Sequence, residues 1–135
     1  MRSTRCSAVF AVACLFTLGC IDDTLSPPAS AGVYSLRSRN GVAVPVLIGT
    51  AASGSTSLEG GSLRLDRDRS FTIRYDEGVI EGPVTTYYMT IVIGTYVERG
   101  GRVVLTPWGG GPITALRDGD AITLPDRDAQ LVFRR

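Results

Sequence analysis

Residues 84–97 read VTTYYMTIVIGTYV and form the longest strand-like run of the chain. Apolar side chains alternate along it, which is the period of a β-strand with one buried face. We expect Tyr87, Met89, Ile91 and Ile93 to share the face that points into the core, with Thr86, Tyr88 and Thr90 on the other face. Gly94 predicts a bulge or a sharp bend within this strand rather than its end.

Shorter runs with the same period lie on both sides of this strand, separated by turn residues. Asn40-Gly41 predicts a type I′ hairpin turn, because both residues tolerate a positive φ. Pro45 removes a ladder donor, so its strand is expected at an edge or with a bulge. Residues 49–57 and 76–83 are predicted as loops. Further turns are expected at Asp66–Arg69, Arg99–Gly101, Pro107–Gly111, Asp118–Asp120 and Pro125–Asp128.

The pattern predicts an all-β fold, since no stretch between residues 31 and 135 keeps a helical period. Eight to ten short antiparallel strands form a meander, which we expect to close into a small up-and-down β-barrel because closure removes exposed edges. A two-sheet β-sandwich is the alternative. Aspartate at Leu131 or at Ile91 is expected to unfold the domain. The predicted core consists of Tyr34, Leu36, Leu63, Leu65, Phe71, Ile73, Tyr75, Tyr87, Met89, Ile91, Ile93, Val103, Leu105, Ile113, Ile122, Leu124, Leu131 and Phe133.

The N-terminus has the pattern of an export signal. Arg2 and Arg5 precede an apolar run at residues 8–18, which is too short to cross a bilayer as an ordinary helix. We therefore expect three segments: a signal peptide at 1–19, a polar, proline-bearing tether at 20–30 and the β-domain at 31–135. Cys6 and Cys14 would leave with the signal, so the mature domain is expected to fold without an internal disulfide.

Composition restricts the chemistry that this chain can perform. It has no histidine, and all 14 of its basic residues are arginine. A Ser-His or Cys-His nucleophile and a His/Cys zinc site are therefore excluded, and the aspartate pairs in turns are expected to bond their own backbone. After residue 19 the chain has 12 arginines and 13 acidic residues, so no basic patch for nucleic acid is expected. We predict a monomeric, non-enzymatic protein without a cofactor.

Two parts of the chain resemble known proteins. Leu18-Gly19-Cys20 resembles the lipobox of bacterial lipoproteins, which implies that Cys20 carries a lipid anchor and that the protein lies in the bacterial cell envelope, facing the periplasm or the cell surface. An ordinary secretory signal with an incidental cysteine is the alternative. The domain is similar to small lipocalin-like bacterial lipoproteins in its turn and core positions, namely residues 32–36, 40–41, 45, 61–65, 71, 94–96, 104–106, 120–124 and 131–135. This second resemblance implies a fold and carries no ligand residues.

Two functions are open at this point. The first is a binding module whose barrel holds a small apolar ligand. The second is a barrel with a filled core that contacts an envelope protein or inhibits an enzyme. An interior cavity of about 300 Å³ or more would favour the first function. The residues predicted to line such a cavity are Tyr34, Tyr75, Tyr87, Met89, Ile91 and, at the rim, Trp108.

Overall fold

A computed structural model describes residues 26–135, and every regular element in this range is a β-strand. Cys20 and the predicted signal lie outside the described residues. No helix in the described range is long and apolar enough to cross a bilayer. The ten strands are β1 Gly32–Arg39, β2 Val42–Ala43, β3 Val46–Ala51, β4 Gly54–Leu65, β5 Ser70–Glu81, β6 Val84–Arg99, β7 Arg102–Pro107, β8 Ile113–Asp118, β9 Ala121–Asp126 and β10 Ala129–Arg134.

Eight of these strands close into an antiparallel barrel. β4 to β10 pair in sequence order, and β1 completes the ring by pairing with β10 on one side and with β4 on the other. β2 and β3 are additional strands that pair with β1 and β4 respectively. The predicted all-β barrel is therefore confirmed, and the two-sheet sandwich is wrong because the hydrogen-bonded ring has no break between β1 and its two neighbours.

The Asn40-Gly41 turn forms as predicted. Asn40 and Gly41 have φ values of 51° and 79°, the left-handed conformation that both central positions of a type I′ turn require. The turn is also attached to β10, because Asn40 donates its N–H to the Gln130 carbonyl and accepts the Gln130 N–H on its side-chain oxygen, each at 2.8 Å. Pro45 separates β2 from β3, and β3 is the outermost strand on its side of the sheet.

Both segments predicted as long loops are strands, so these two predictions are wrong. Residues 49–57 fall in β3, a turn at residues 52–53 and β4, while residues 76–81 continue β5 to a turn at Gly82-Pro83. The small residues that resemble a loop in sequence serve close strand approach instead. A Cβ on Gly54, in the first of these segments, would collide with the Ile80 carbonyl of β5.

The barrel interior is filled by its own side chains. Fifteen residues form one buried cluster, each with at most 4% of its surface exposed. The room left by Gly94 is occupied, because a Cβ there would lie 2.7 Å from Cε1 of Phe71 and would collide with the Thr106 carbonyl. The β5–β6 register runs through Gly94 without a shift, so the predicted bulge is absent. The cluster comprises Tyr34, Leu36, Leu58, Leu63, Leu65, Phe71, Ile73, Tyr96, Val103, Leu105, Ala115, Ile122, Leu124, Leu131 and Phe133.

The predicted core face of β6 is the wrong one. Tyr87, Met89, Ile91 and Ile93 are 73%, 58%, 53% and 41% exposed, whereas Tyr96 is 1% exposed. The register explains the reversal: buried Phe71 lies opposite Gly94 and buried Ile73 opposite Val92, and cross-strand partners share a face. Within the barrel wall the even-numbered residues of β6 therefore point inward, and the apolar odd-numbered row lies on the outer face.

The sheet extends past the barrel, where β4, β5 and β6 continue beyond the ring and β3 pairs with β4. We define this extension as residues 46–58 and 76–92. The pairing of β6 with β7 begins only at Gly94 and Pro107, so the first part of β6 bonds to β5 alone. Every residue from Ile80 to Ile91 is exposed. The strand order across the extension is β6-β5-β4-β3, which leaves β6 and β3 as its two edges.

Candidate functional site

One end of the barrel is closed by the segment that would connect to the tether, and we call it the tether end. Ser30 is fully buried there, and Oε2 of Glu98 accepts its N–H at 3.0 Å and its hydroxyl at 2.9 Å. Nη1 of Arg117 donates to the other carboxylate oxygen at 2.8 Å. The Tyr34 hydroxyl donates to the Ser30 carbonyl at 2.7 Å. Ser30 thus makes three hydrogen bonds, two to Glu98 and one to Tyr34, which attach the N-terminal segment to this end of the barrel.

The Glu98 carboxylate is stabilised in its charged form at this closure. Burial of the carboxyl raises its pKa, but the hydrogen bonds from Ser30 and Arg117 outweigh burial and leave the pKa below its ordinary value. Nε of Arg117 is buried without a hydrogen-bond partner among the described residues. A second phenol is anchored nearby, where the Tyr96 hydroxyl donates to the Asp66 carbonyl at 2.8 Å. The network is structural in character, since it joins the N-terminal segment to β6 and β8.

The opposite end of the barrel, which we call the mouth, contains a cleft of about 390 Å³. Tyr75 lies in this cleft, and burial together with the negative charge of Asp126 raises the pKa of its hydroxyl to about 12. The phenol therefore remains a hydrogen-bond donor at neutral pH. Arginine and acidic side chains both lie around the Tyr75 hydroxyl. The cleft is therefore more polar than a site that binds a purely apolar ligand. Its lining residues are Arg39, Ile48, Leu58, Tyr75, Glu77, Asp126, Arg127, Asp128 and Leu131.

The outer face of β6 presents a row of large apolar side chains to solvent. Tyr87, Met89 and Ile91 lie opposite Gly78, Asp76 and Arg74 of β5. Arg74 and Asp76 pair with each other, Nε to Oδ1, at 2.8 Å, so the charged groups beside the row are already partnered. Exposed apolar residues are ordinary when scattered, whereas a contiguous exposed row is a candidate contact surface.

The same part of β6 has an unpaired backbone edge. The N–H of Trp108 donates to the Ile93 carbonyl at 3.0 Å, so the backbone groups of Ile93 point away from β5. Backbone groups alternate in direction along an antiparallel strand, and those of Ile91, Met89, Tyr87 and Thr85 therefore point to the same side. No strand within residues 26–135 pairs with that side beyond Trp108.

The structure does not bring the predicted lining residues together. Tyr34 is buried at the tether end, and Tyr75 lies in the mouth. Tyr87, Met89 and Ile91 stand on the outer face of the extension and cannot line the interior. Trp108 is 73% exposed in the turn after β7.

Sequence reasoning missed the unpaired edge and the Ser30–Glu98–Arg117 network. The unpaired edge had a signal in the sequence, because the run at 84–97 is far longer than the strand expected at 102–106. Part of the longer strand therefore has no residue of that neighbour to pair with. The network had none, since its members are 68 and 19 residues apart in sequence. Among residues 26–135, no three His, Cys, Asp or Glu side chains converge in a way that could hold a metal ion.

The geometry thus provides two candidate surfaces, the polar cleft at the mouth and the apolar row with its unpaired edge on β6. Comparison of the chain with protein-family models, with curated proteins and with solved structures finds no match.

Proposed function

We propose that this protein is a lipid-anchored, non-enzymatic interaction module of the bacterial cell envelope, which contacts a protein through the extension. The observation that carries the proposal is the contrast between the part of β6 in the barrel wall and the part in the extension. Inside the barrel its residues meet a filled core, whereas Tyr87, Met89 and Ile91 project outward with 53–73% of their surface exposed. Apolar surface of this kind gains free energy when a partner removes it from water.

The position of the N-terminal segment supports anchoring through Cys20. Ser30 is held at the tether end by Glu98, and β6 runs from Glu98 back to the extension. At ~3.3 Å per residue, the 11 steps from Glu98 to Tyr87 span up to about 35 Å. An anchor attached before Ser30 would therefore leave the apolar row clear of the membrane attachment point.

The composition supports a role without catalysis. Histidine and lysine, which supply most nucleophile activation and general-base chemistry in proteins, are missing from the sequence. The ionised groups of the tether end are engaged with one another. Binding needs none of these groups, because apolar area and backbone hydrogen bonds suffice for it.

Photo-crosslinking in intact cells tests the proposal. A photoreactive phenylalanine analogue replaces Tyr87 in the full chain, and the matched control carries it at Val33, which is 60% exposed on the outer wall of β1. We expect protein adducts from position 87 and few from position 33. If position 87 gives no more adducts than position 33, the extension is not a contact surface and the proposal is wrong.

A ligand site at the mouth is the second candidate, favoured by the volume of the cleft and the buried Tyr75 hydroxyl. Small-molecule sites usually begin at about 300 Å³, so the cleft is large enough for a small ligand that carries polar groups. A ligand of this kind should raise the melting temperature of the wild-type chain more than that of Tyr75→Phe. An equal rise in both proteins would remove the cleft as its site.

A further inference from the structure

We infer that the partner of the extension is a second copy of this chain, and that the two copies pair antiparallel through residues 85–91 of β6. The inference rests on the proposed function, because it names the occupant of the same surface. It differs from the monomer expected from the sequence. The argument begins with the two edges of the extension, which are built in opposite ways.

The β3 edge carries the features that prevent strand pairing. This strand has six residues, it follows Pro45, and its register shifts between Leu47 and Gly49. Short length, proline and bulges are the common means by which proteins protect an exposed edge. The β3 edge is therefore unsuited to a further strand.

The β6 edge carries none of these features. Residues 84–93 read VTTYYMTIVI, without a charge, a proline or a glycine, and their pairing with β5 shows no register shift. Such a strand is a template for further pairing when it stays open. One edge of the extension is thus protected and the other is not, which indicates that the β6 edge is covered in the working protein.

A second copy would supply hydrogen-bond partners for the open backbone groups of this edge. The residues whose backbone groups point outward are Thr85, Tyr87, Met89 and Ile91, and the midpoint of this set is Tyr88. A two-fold axis beside Tyr88 would pair Thr85 of each copy with Ile91 of the other, and Tyr87 with Met89. Each such pair would exchange two N–H···O=C bonds. The register uses every outward-pointing residue, and the two four-stranded extensions become one continuous sheet.

The side chains fit this register as well. The facing segments are uncharged, so the two-fold axis brings no like charges together. On the outer face, Tyr87 of one copy would lie beside Met89 of the other, which joins the two apolar rows and shields the side of each row that borders the open edge. The pairing would end where Pro83 of one copy meets Ile93 of the other, because Pro83 has no N–H and the Ile93 carbonyl is already bonded to Trp108.

The two tether ends would lie at opposite ends of the paired sheet. Nine residues lie between Cys20 and Ser30, and extended chain reaches up to about 3.5 Å per residue. Both anchors could therefore reach one membrane when the paired sheet lies along it.

Cysteine crosslinking of the full chain in the envelope tests the inference. In the proposed register the two Tyr88 residues face each other as a non-hydrogen-bonded pair, with Cα atoms about 4.5 Å apart, which suits a disulfide. Tyr88→Cys is compared with Leu47→Cys, which is equally exposed, 56% against 55%, but lies on the protected β3 edge. The wild-type chain shows the background from Cys20. After brief copper-phenanthroline oxidation, we expect a disulfide-linked homodimer from Tyr88→Cys and little from Leu47→Cys.

A second substitution separates pairing from misfolding. The N–H of Met89 points to the open edge, so Met89→Pro removes no bond to β5 and should leave the fold intact. Adding Met89→Pro to Tyr88→Cys should abolish the homodimer. A Tyr88→Cys chain that forms no more homodimer than Leu47→Cys overturns the inference. If Tyr88→Cys fails in this way but position 87 still gives adducts with another protein in the photo-crosslinking experiment, the proposed function stands without the dimer. If position 87 gives no adduct either, the proposed function and the dimer are both wrong.

Discussion

The N–H of Trp108 donates to the carbonyl of Ile93 at 3.0 Å, at the point where β6 leaves the barrel wall. On one side of this bond β6 lies between two strands, and on the other it pairs with β5 alone. This difference in pairing divides β6 into a part that belongs to the barrel wall and an exposed part. Functional expectations for the protein depend on that division.

The exposed part should tolerate a charge that the core does not. Leu131 is 1% exposed, so Leu131→Asp buries a carboxyl among apolar groups and should cost more than about 4 kcal/mol of unfolding free energy. Ile91 is 53% exposed, and Ile91→Asp should cost only about 1 kcal/mol. Urea unfolding followed by circular dichroism measures both values. The expectation from sequence that Ile91→Asp unfolds the domain is replaced by this one, and equal losses in the two variants would contradict the observed face of β6.

Gly94 should not accept a methyl group. A Cβ there would collide with the Thr106 carbonyl and press on the Phe71 ring, so Gly94→Ala should destabilise the barrel by about 1–3 kcal/mol. Gly111→Ala is the matched control, because a Cβ at residue 111 meets nothing within 4 Å. Its unfolding free energy should stay within about 0.5 kcal/mol of the wild type. A cavity beside Gly94 would instead make the Gly94→Ala chain as stable as the control, and would restore an interior ligand site.

Acid should weaken the barrel through Glu98. The pKa of this carboxyl in the folded chain lies below its ordinary value of 4.5, because the hydrogen bonds from Ser30 and Arg117 outweigh burial. The unfolded chain therefore binds the proton more readily, and the stabilisation is fully present above the unfolded pKa and is lost as pH falls through the folded pKa. Glu98→Gln should lower stability at pH 7 and should lose less than the wild type on acidification below about pH 4.5.

Urea midpoints measured across that range test the prediction for Glu98. Glu59→Gln serves as the control, because Glu59 is an exposed carboxylate of β4. The stability of the Glu59→Gln chain should fall as steeply as that of the wild type when the pH is lowered. If Glu98→Gln shows this same steep fall, the carboxylate does not stabilise the tether end.

Membrane attachment should depend on Cys20. Acyl chains add membrane affinity of about 0.8 kcal/mol for each buried methylene, so Cys20→Ser should move the protein from the membrane fraction to the soluble fraction of the envelope. Fractionation and mass spectrometry of the full chain measure this change. A wild-type protein that is already soluble and carries no acyl mass would make the chain an ordinary exported protein.

Local chemistry decided the parts of the fold that short stretches can specify. Asn40-Gly41 forms its turn because two residues with access to positive φ suffice for it. Alternation placed Leu63, Leu65 and Phe71 in the core correctly, since each belongs to a strand with polar neighbours on its outer face. The closed barrel followed from the number of such strands and the short turns between them.

Alternation could not orient β6, because both of its faces carry apolar side chains. In such a strand the face that points inward is set by pairing with β5, where Phe71 needs the space above Gly94. A small residue misled the prediction in a similar way at Gly54. Loops and close strand contacts both favour glycine, and only the neighbouring strand distinguishes them.

The sequence by itself determined an all-β domain, most of its turns, most of its core and a chain without histidine or lysine chemistry. Only the tertiary structure decided that the interior is filled, that Tyr75 lies in a mouth cleft and that Tyr87, Met89 and Ile91 face solvent. These features depend on pairings between residues far apart in the chain, such as Gly32 with Leu65 in the closing ladder. The free energy of such a pairing belongs to two segments together, so neither segment reveals it alone.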